Sequence, residues 1–214
     1  MRSLVEVINE NLIYEVREKV YSKDVSGVTE FCNDVLSGDN WKVNKDLSVD
    51  IDKASGNGYD MSFVFPNNVT KIPDFIKFKG RDISISLTTS GPYNKNLEEF
   101  NLDFDGTLST VTVNNVPKLK EISINDVQIE SIFIDKCAKL ETIDLSGSEV
   151  TDAACARKNK SLKTYKAPDL GKKVNIYNID NPGYTDELYI MDGVRYKRDE
   201  KGKLVKIWKI LLKK

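Results

Sequence analysis

The 214-residue sequence contains no histidine. Histidine is the commonest general base and metal ligand in proteins, and it activates the nucleophile in Ser-His and Cys-His pairs. Carboxylates and lysine can still catalyse reactions, but the absence excludes most familiar catalytic arrangements. No glycine-rich phosphate loop follows a predicted strand, and the acidic residues between 98 and 105 lack the glycine-bearing loop of a calcium site. We therefore expect a non-enzymatic protein with no catalytic residues, no cofactor and no metal.

Cysteine is also scarce, and its number is odd. Cys32, Cys137 and Cys155 lie in dissimilar contexts, and none has the paired spacing of a metal site. We interpret them as buried, reduced thiols in a reducing compartment. The N-terminus lacks an apolar core followed by a small-residue cleavage site, and no stretch reaches membrane-spanning length. These absences predict a cytoplasmic protein with no membrane partner, unless it leaves the cell as part of an assembly.

The chain as a whole also lacks a strong electrostatic field, because its net charge is −1. The charge is unevenly placed, however. From Arg195 to Lys214 there are nine Lys or Arg residues against Asp199 and Glu200, an excess of seven that leaves the first 194 residues at −8. Such a segment could hold phosphates while aromatic side chains stack on bases. The residues of this possible nucleic-acid contact are Arg195, Lys197, Arg198, Lys206 and Trp208.

What the sequence does contain is a repeated phrase. Between residues 97 and 145 a six-residue phrase recurs. It consists of a leucine or isoleucine, two further residues, and then two apolar residues with one residue between them. The five copies are Leu97–Leu102, Leu108–Val113, Leu119–Ile124, Ile129–Ile134 and Leu140–Leu145. A fixed period is typical of a solenoid, in which each unit buries its apolar edge against its neighbours. Every second copy follows after about 22 residues, so we predict coils of that length with two short strands on opposite sides.

The predicted array has irregular borders. A strand over Ile83–Leu87 precedes it, and strands are also expected within Trp41–Asp52 and Met61–Phe65. The copy expected near residue 151 is replaced by Thr151–Ala156, which we interpret as one helical turn. Regularity fades after Tyr165.

Two amphipathic helices are predicted in residues 1–38. The first carries an apolar stripe that runs from Leu4 to Val20, and the second spans about Val28–Leu36. At the other end, Val174–Ile179 reads as a strand, and an antiparallel meander follows over Leu188–Met191, Val194–Tyr196 and Leu204–Ile210. The last of these pieces also fits helical spacing, so its type stays open.

Two stretches resemble known leucine-rich repeats. Phe133, Cys137 and the following Leu140–Leu145 phrase resemble the unit of BspA-type leucine-rich repeats. The segment from Trp41 to Ile83 is similar to the opening of leucine-rich-repeat proteins encoded by tailed bacteriophages. The ten N-terminal residues also resemble leaders of proteins packaged in phage heads, and whether such a leader would be cleaved stays open. The resemblance implies a host-cytoplasmic or virion location.

The sequence and the resemblance together predict an α+β protein in three parts. Residues 1–38 form the N-terminal amphipathic helices, residues 39–170 a short leucine-rich-repeat-like β-solenoid, and residues 171–214 a basic, β-rich C-terminal cap. An open solenoid end needs such a cap.

Polar residues between the apolar pairs must point outward, because strand side chains alternate between faces. If alternate copies share a sheet, six small polar residues form two adjacent rows: Asn101, Ser123 and Asp144, with Asp103, Asn125 and Ser146 beside them. They could bind a partner, or they could simply be a solvated face. The opposite sheet would show Thr112 beside Phe133, which either contacts a partner or anchors a helix.

We expect an interaction or structural scaffold whose partner is another protein, including virion components such as those of a capsid or tail. A packaged nucleic-acid-associated protein and a repeat-type adhesin are the alternatives, and the adhesin is disfavoured because no export signal is visible.

Overall fold

In the part of the chain that the structure describes, stacked β-coils follow one short helix. A computed structural model describes residues 17–52, 61–89, 91–166, 168–170, 175–179, 188–191, 194–198 and 204–206. The elements ahead of the coils are α1 (Val25–Val35), β1 (Leu36–Ser37), β2 (Trp41–Val43), β3 (Ser48–Ile51) and β4 (Met61–Phe63). Strands β2 and β3 form an antiparallel hairpin, and β1 pairs antiparallel with β4.

Each coil contributes one long strand to a first sheet and one short strand to a second. The long strands of sheet A are β5 (Lys77–Thr88), β7 (Phe104–Asn114), β9 (Gln128–Asp135) and β11 (Glu149–Arg157). The short strands of sheet B are β6 (Glu99–Leu102), β8 (Glu121–Ile124), β10 (Thr142–Asp144) and β12 (Thr164–Lys166). Every strand pairs in parallel with its equivalent in the next coil. The predicted β-solenoid with two strands per coil is therefore confirmed.

The strand register fixes the length of a coil. In sheet B, Phe100, Ile122, Ile143 and Tyr165 lie side by side. Side-chain contacts between successive coils show the same step, which is 22 residues from Glu98 to Lys120 and from Asp144 to Lys166. In sheet A the step is 21 or 22 residues among β7, β9 and β11, whereas β5 and β7 pair at a step of 25 or 26. The predicted coil length is confirmed.

The repeated phrase supplies the core. All fifteen apolar positions of the five copies belong to one buried cluster and are at most 3% exposed. Burying one such side chain contributes about 1.5–3 kcal/mol. Because successive coils bring these side chains into register, the core runs as a continuous column from coil to coil.

Two strand pairs of sheet A are irregular at the two residues between the first apolar residue of the phrase and its apolar pair. In sheet A the pairing shifts at this position: Ser109 is an extra residue against β5, and β11 places Thr151 and Asp152 against a single residue of β9. Such bulges bend a strand and increase its twist. In sheet A the phrase therefore consists of one buried residue, a position where the strand can bulge, and an alternating strand.

A left-handed residue follows each of three long strands. Asn115, Lys136 and Lys158 hold equivalent positions and have φ values of 56°, 56° and 57°. The N–H groups of Asn115 and Lys136 donate to the carbonyls of Asp135 and Arg157, each at 2.9 Å. These hydrogen bonds join each coil to the next at the turn.

The position three residues before each buried sheet B leucine holds asparagine at the ends of the stack and valine or cysteine in the middle. Asn94, Val116, Cys137 and Asn159 each precede a buried sheet B leucine by three residues and are at most 1% exposed. Asn159 Oδ1 accepts from the N–H of Cys137, and its Nδ2 donates to the carbonyl of Ile134, both at 3.0 Å. Asn94 makes similar backbone contacts with the preceding segment. The sequence did not reveal these buried amides.

Helix α1 closes the N-terminal end of the core. Asp24 caps it by accepting from the N–H of Gly27 at 2.8 Å. Its apolar face is buried, and the ring of Phe31 meets that of Phe65 edge-on at 6.4 Å. The second predicted helix is thus confirmed, and it starts at Val25 because Asp24 provides the cap.

The first predicted helix falls on residues that the structure does not describe, apart from its end. Val20 is 87% exposed and lies in a non-helical segment. The N–H of the neighbouring Lys19 donates to the carbonyl of Asn68 at 2.7 Å, which replaces a helical hydrogen bond. The prediction of a helix reaching Val20 is therefore wrong.

The predicted helical turn at Thr151–Ala156 is also wrong, because this segment belongs to strand β11. Val150, Ala154 and Ala156 pair with Ile129, Ile132 and Ile134, so small side chains fill the inward positions that isoleucine fills one coil earlier. Because this segment is rich in alanine, its sequence does not show that the strand repeat continues through it in register with β9.

The C-terminal strands form two groups, of which the first extends sheet A and the second is a separate sheet. β13 (Asp169–Leu170) and β14 (Asn175–Ile179) pair in parallel with β11 and continue sheet A. β15 (Leu188–Met191), β16 (Val194–Arg198) and β17 (Leu204–Lys206) form the predicted antiparallel meander. Residues 204–206 are strand rather than helix, and residues 207–214 lie outside the described part.

Close stacking of β5 on β7 requires glycine at residue 106. Gly106 has φ +139°, and an added Cβ would lie 1.8 Å from the carbonyl oxygen of Gly80, whereas Gly91 has φ +53° and open space. We predict that Gly106→Ala lowers the free energy of unfolding by about 3 kcal/mol, and Gly91→Ala by about 1 kcal/mol. Urea denaturation followed by circular dichroism measures both, and equal losses would contradict the close approach.

Candidate functional site

The outward positions of β6, β8, β10 and β12, called here the sheet B face, hold the residues predicted to bind a partner. Asn101, Ser123 and Asp144 lie in register across three strands. The second predicted row follows directly, since Asp103, Asn125 and Ser146 come just after the ends of β6, β8 and β10 and are exposed. The fold thus brings all six residues to one edge of one sheet.

Asp144 is the centre of a hydrogen-bonded group on this face. Its carboxylate accepts from Lys166 Nζ at 2.6 Å and from the N–H and Oγ of Ser146 at 3.1 and 2.6 Å. The hydrogen bond from Lys166, followed by that from the Ser146 hydroxyl, lowers the pKa of Asp144 to about 2. Lys166 continues the row after Asp144. The sequence reading missed it, although the step of one coil from Asp144 points to it.

Asn125 connects this group to the next strand. With its amide turned so that the oxygen accepts from Ser123 Oγ at 2.8 Å, its nitrogen donates to Asp144 Oδ1 at 3.3 Å. Ser123, Asn125, Asp144 and Ser146 therefore form one connected set. Asn101 is separate: within the described residues its Oδ1 is shielded from solvent and has no hydrogen-bond partner.

Ion pairs between successive coils border the sheet B face. Lys120 Nζ lies 2.5 Å from Glu98, and Lys163 Nζ lies 2.8 Å from Glu141. Both pairs join residues one coil apart and are largely exposed, so solvent and salt screen them and they contribute little to stability. Together with Asp144 and Lys166, they neutralise charge coil by coil.

Glu99 and Glu121 form no close ion pair among the described residues, although Lys120 and Lys166, which pair with other carboxylates, also attract them. The two glutamates lie in register on β6 and β8, and the row continues with Thr142 and Thr164, so no basic residue shares it. Like charges directly opposite each other on paired strands are destabilising. The half of the sheet B face nearest the N-terminus is therefore more acidic than the half nearest the C-terminus.

An open groove of about 400 Å³ crosses this acidic half, between residues 73–76 and strands β6 and β8. Asp74, Asp103 and Asp126 line it with carboxylate oxygens, and Asn101 also borders it. A second open groove, of about 720 Å³, shares Asp103 and Asp126 and lies against sheet A. Among the described residues, the lining of the first groove includes three carboxylates and no lysine or arginine, so it suits cationic groups, whereas Lys77 and Arg81 also line the second groove.

The outward face of sheet A has a different character. Thr112 lies in register with Phe133, as predicted, and Asn114 with Asp135. Phe133 is half-buried. Asp135 accepts from Arg157 Nε at 2.9 Å, one coil further along, which repeats the inter-coil pairing of sheet B. Of the helices predicted to cover Phe133, α1 lies against β1 and β2, and residues 1–16 lie outside the described part of the chain.

The three cysteines are buried and free. Burial raises the pKa of Cys32 to about 12, and mainly burial raises those of Cys137 and Cys155 to about 11. The nucleophilic form of cysteine is the thiolate, so these side chains are inert at neutral pH. Within the described ranges, no group of three His, Cys, Asp or Glu residues could hold a metal, and no helix is long and apolar enough to span a membrane.

The basic residues predicted to contact nucleic acid lie on the C-terminal strands. Arg195, Lys197 and Arg198 belong to β16, and Lys206 belongs to β17, which pairs with it. Trp208 lies outside the described residues. The fold thus gathers four of the five positions in one small antiparallel sheet.

No protein-family model, curated protein or solved structure matches this chain.

The Asp144 group gives a pH-dependent prediction. A carboxylate with a lowered pKa stabilises the fold above its unfolded pKa of about 4, and this contribution is lost as the pH falls towards 2. Asp144→Asn should therefore lower the free energy of unfolding at pH 7 by less than about 1 kcal/mol, and the deficit should vanish near pH 2. Urea denaturation at several pH values, with Asp105→Asn as a control, measures this. A deficit that stays constant with pH would contradict it.

The Glu99–Glu121 register gives the opposite prediction. Glu121→Gln should raise the free energy of unfolding by about 0.2–1 kcal/mol, because it removes a like-charge pair across β6 and β8. The gain should shrink at high salt. Glu141→Gln, which removes the partner of Lys163, serves as the matched control and should give no gain. Destabilisation by Glu121→Gln would show that the two carboxylates do not repel.

Proposed function

We propose that the chain is a non-enzymatic interaction or structural scaffold that presents the sheet B face to another protein. The observation that carries this proposal is the register of the polar rows. Asn101, Ser123 and Asp144 sit side by side on a sheet whose opposite side is the buried core. Their relative positions are therefore set by the coil stack.

Preorganisation favours binding on such a face. Ordering side chains at an interface costs about 0.5–1.5 kcal/mol for each flexible residue. Hydrogen bonds already restrain Asp144 and Ser146, and Asn125 lies against both Ser123 and Asp144. A partner that meets this surface would order fewer groups than on a surface of free side chains.

The shape of the surface also supports a binding role. Small-molecule and catalytic sites are usually concave and mostly apolar. The two grooves next to the sheet B face are open, and polar or charged residues dominate their linings. The oxygen acceptors there can accept hydrogen bonds from polar groups on the surface of another protein.

The biological setting that we propose comes from the sequence resemblance. BspA-like leucine-rich-repeat proteins of tailed bacteriophages imply a phage-encoded protein that associates with the virion, in the capsid or the tail. The repeat supports only the solenoid architecture. Detection of the chain by mass spectrometry in purified phage particles would support the setting, and its confinement to the host cell fraction would contradict it.

Cross-linking tests the binding face. Lys118, Lys120, Lys163 and Lys166 flank the sheet B face, whereas Lys42 and Lys45 lie ahead of the coils. In complexes isolated from the natural source with the full chain, we predict that lysine cross-links to a partner concentrate on the first four. Ser123→Arg should abolish them.

The matched control is Glu149→Arg, which adds the same side chain at an exposed position of β11 and should leave the cross-links intact. Circular dichroism checks that both variants fold. Cross-links confined to the lysines ahead of the coils, or retained in Ser123→Arg, would overturn the proposed face.

A further inference from the structure

The two halves of the sheet B face differ in charge. Towards the C-terminal end of the stack, Lys163 and Lys166 neutralise Glu141 and Asp144. Towards the N-terminal end, five carboxylates lie on or beside β6 and β8, and they are called here the acidic patch: Asp74, Glu99, Asp103, Glu121 and Asp126. Among the described residues, the one ion pair in this patch joins Asp103 to Lys77 at 3.4 Å, and both side chains are exposed.

The patch is continuous because alternate strand residues share a face. Glu99, Asn101 and Asp103 follow one another at spacings of two residues along β6 and its end, and Glu121 is the neighbour of Glu99 on β8. The open groove adjoins this patch at Asp74, Asp103 and Asp126. A bound cationic segment would relieve the repulsion between Glu99 and Glu121.

The same chain carries a segment of opposite charge. Residues 195–214 have an excess of seven positive charges, and residues 1–194 have a net charge of −8. The described part of this segment lies in β16 and β17, whose sheet follows β14 after the end of the coil stack. The acidic patch lies on β6 and β8, near the start of sheet B. The two complementary surfaces therefore belong to opposite ends of the stack.

We propose that the acidic patch of one copy binds the basic C-terminal segment, residues 195–214, of a second copy. This inference rests on the proposed function, because it names a partner for the sheet B face. The contact joins two different surfaces and is heterologous, so copies add head to tail instead of closing as a two-fold dimer. An assembly of this kind grows with concentration and weakens with salt, since exposed charges are screened.

A complementation experiment with full-length chains tests the proposal. The patch variant Glu99→Gln/Glu121→Gln keeps the basic segment, and the tail variant Arg195→Gln/Lys197→Gln/Arg198→Gln/Lys206→Gln keeps the patch. Sedimentation at about 0.05 M salt should show wild-type mass rising with concentration, and at about 0.5 M salt only monomer. Each variant alone should stay monomeric, and an equimolar mixture should form a heterodimer of twice the monomer mass.

The control variant, Asp39→Asn/Glu149→Gln, removes two exposed carboxylates outside the patch and should assemble like wild type. Circular dichroism confirms folding of every variant. A wild-type monomer at all concentrations, a mixture that stays monomeric, or a patch variant that still assembles would each overturn the head-to-tail contact. Salt-sensitive binding of the wild type to a DNA duplex without self-association would also overturn it and assign the basic segment to nucleic acid.

The failure of this inference is distinguishable from failure of the proposed function. If self-association is absent but a different protein cross-links to the lysines around sheet B, the scaffold stands and only its partner changes. If neither a second copy nor another protein contacts this face, both proposals fail.

Discussion

The parallel stacking of coils at a nearly constant step is the constraint on which the rest of the structure depends. It places each inward leucine or isoleucine on its equivalent in the next coil, so that a phrase too short to bury itself becomes part of one core. It also places each outward residue beside its equivalent. The core and the binding face are therefore two consequences of one register.

Interactions that run between coils reinforce this register at three places. Backbone hydrogen bonds from the left-handed residues Asn115 and Lys136 join adjacent turns. Side-chain ion pairs such as Asp144 with Lys166 cross one coil on the surface. Buried Asn159 satisfies backbone groups of the preceding coil towards the C-terminal end of the stack. The surface pairs are individually weak, but they set which outward groups are restrained and which, like Glu99 and Glu121, form no close ion pair among the described residues.

The regular part of the fold could be predicted because hydrophobic period is a local signal. The copies from Leu97 to Leu145 predicted the coil length and placed the polar rows on one sheet. The segment Thr151–Ala156 was misjudged because alanine at inward positions has strand register but little strand propensity. The partner of Asp144 and the roles of Asn94 and Asn159 depend on contacts between separate coils, which composition alone does not show. The charge asymmetry of sheet B becomes visible only once the register is known.

Nuclear Overhauser contacts between backbone protons test the coil stacking most directly. The account predicts inter-strand contacts that link Phe100, Ile122 and Ile143 in parallel register, and a second series that links Val111 with Ile132. Antiparallel contacts between residues 97–102 and 108–113 would instead show that the two halves of a coil pair as hairpins. That result would contradict the stacked core and, with it, the polar rows and the acidic patch.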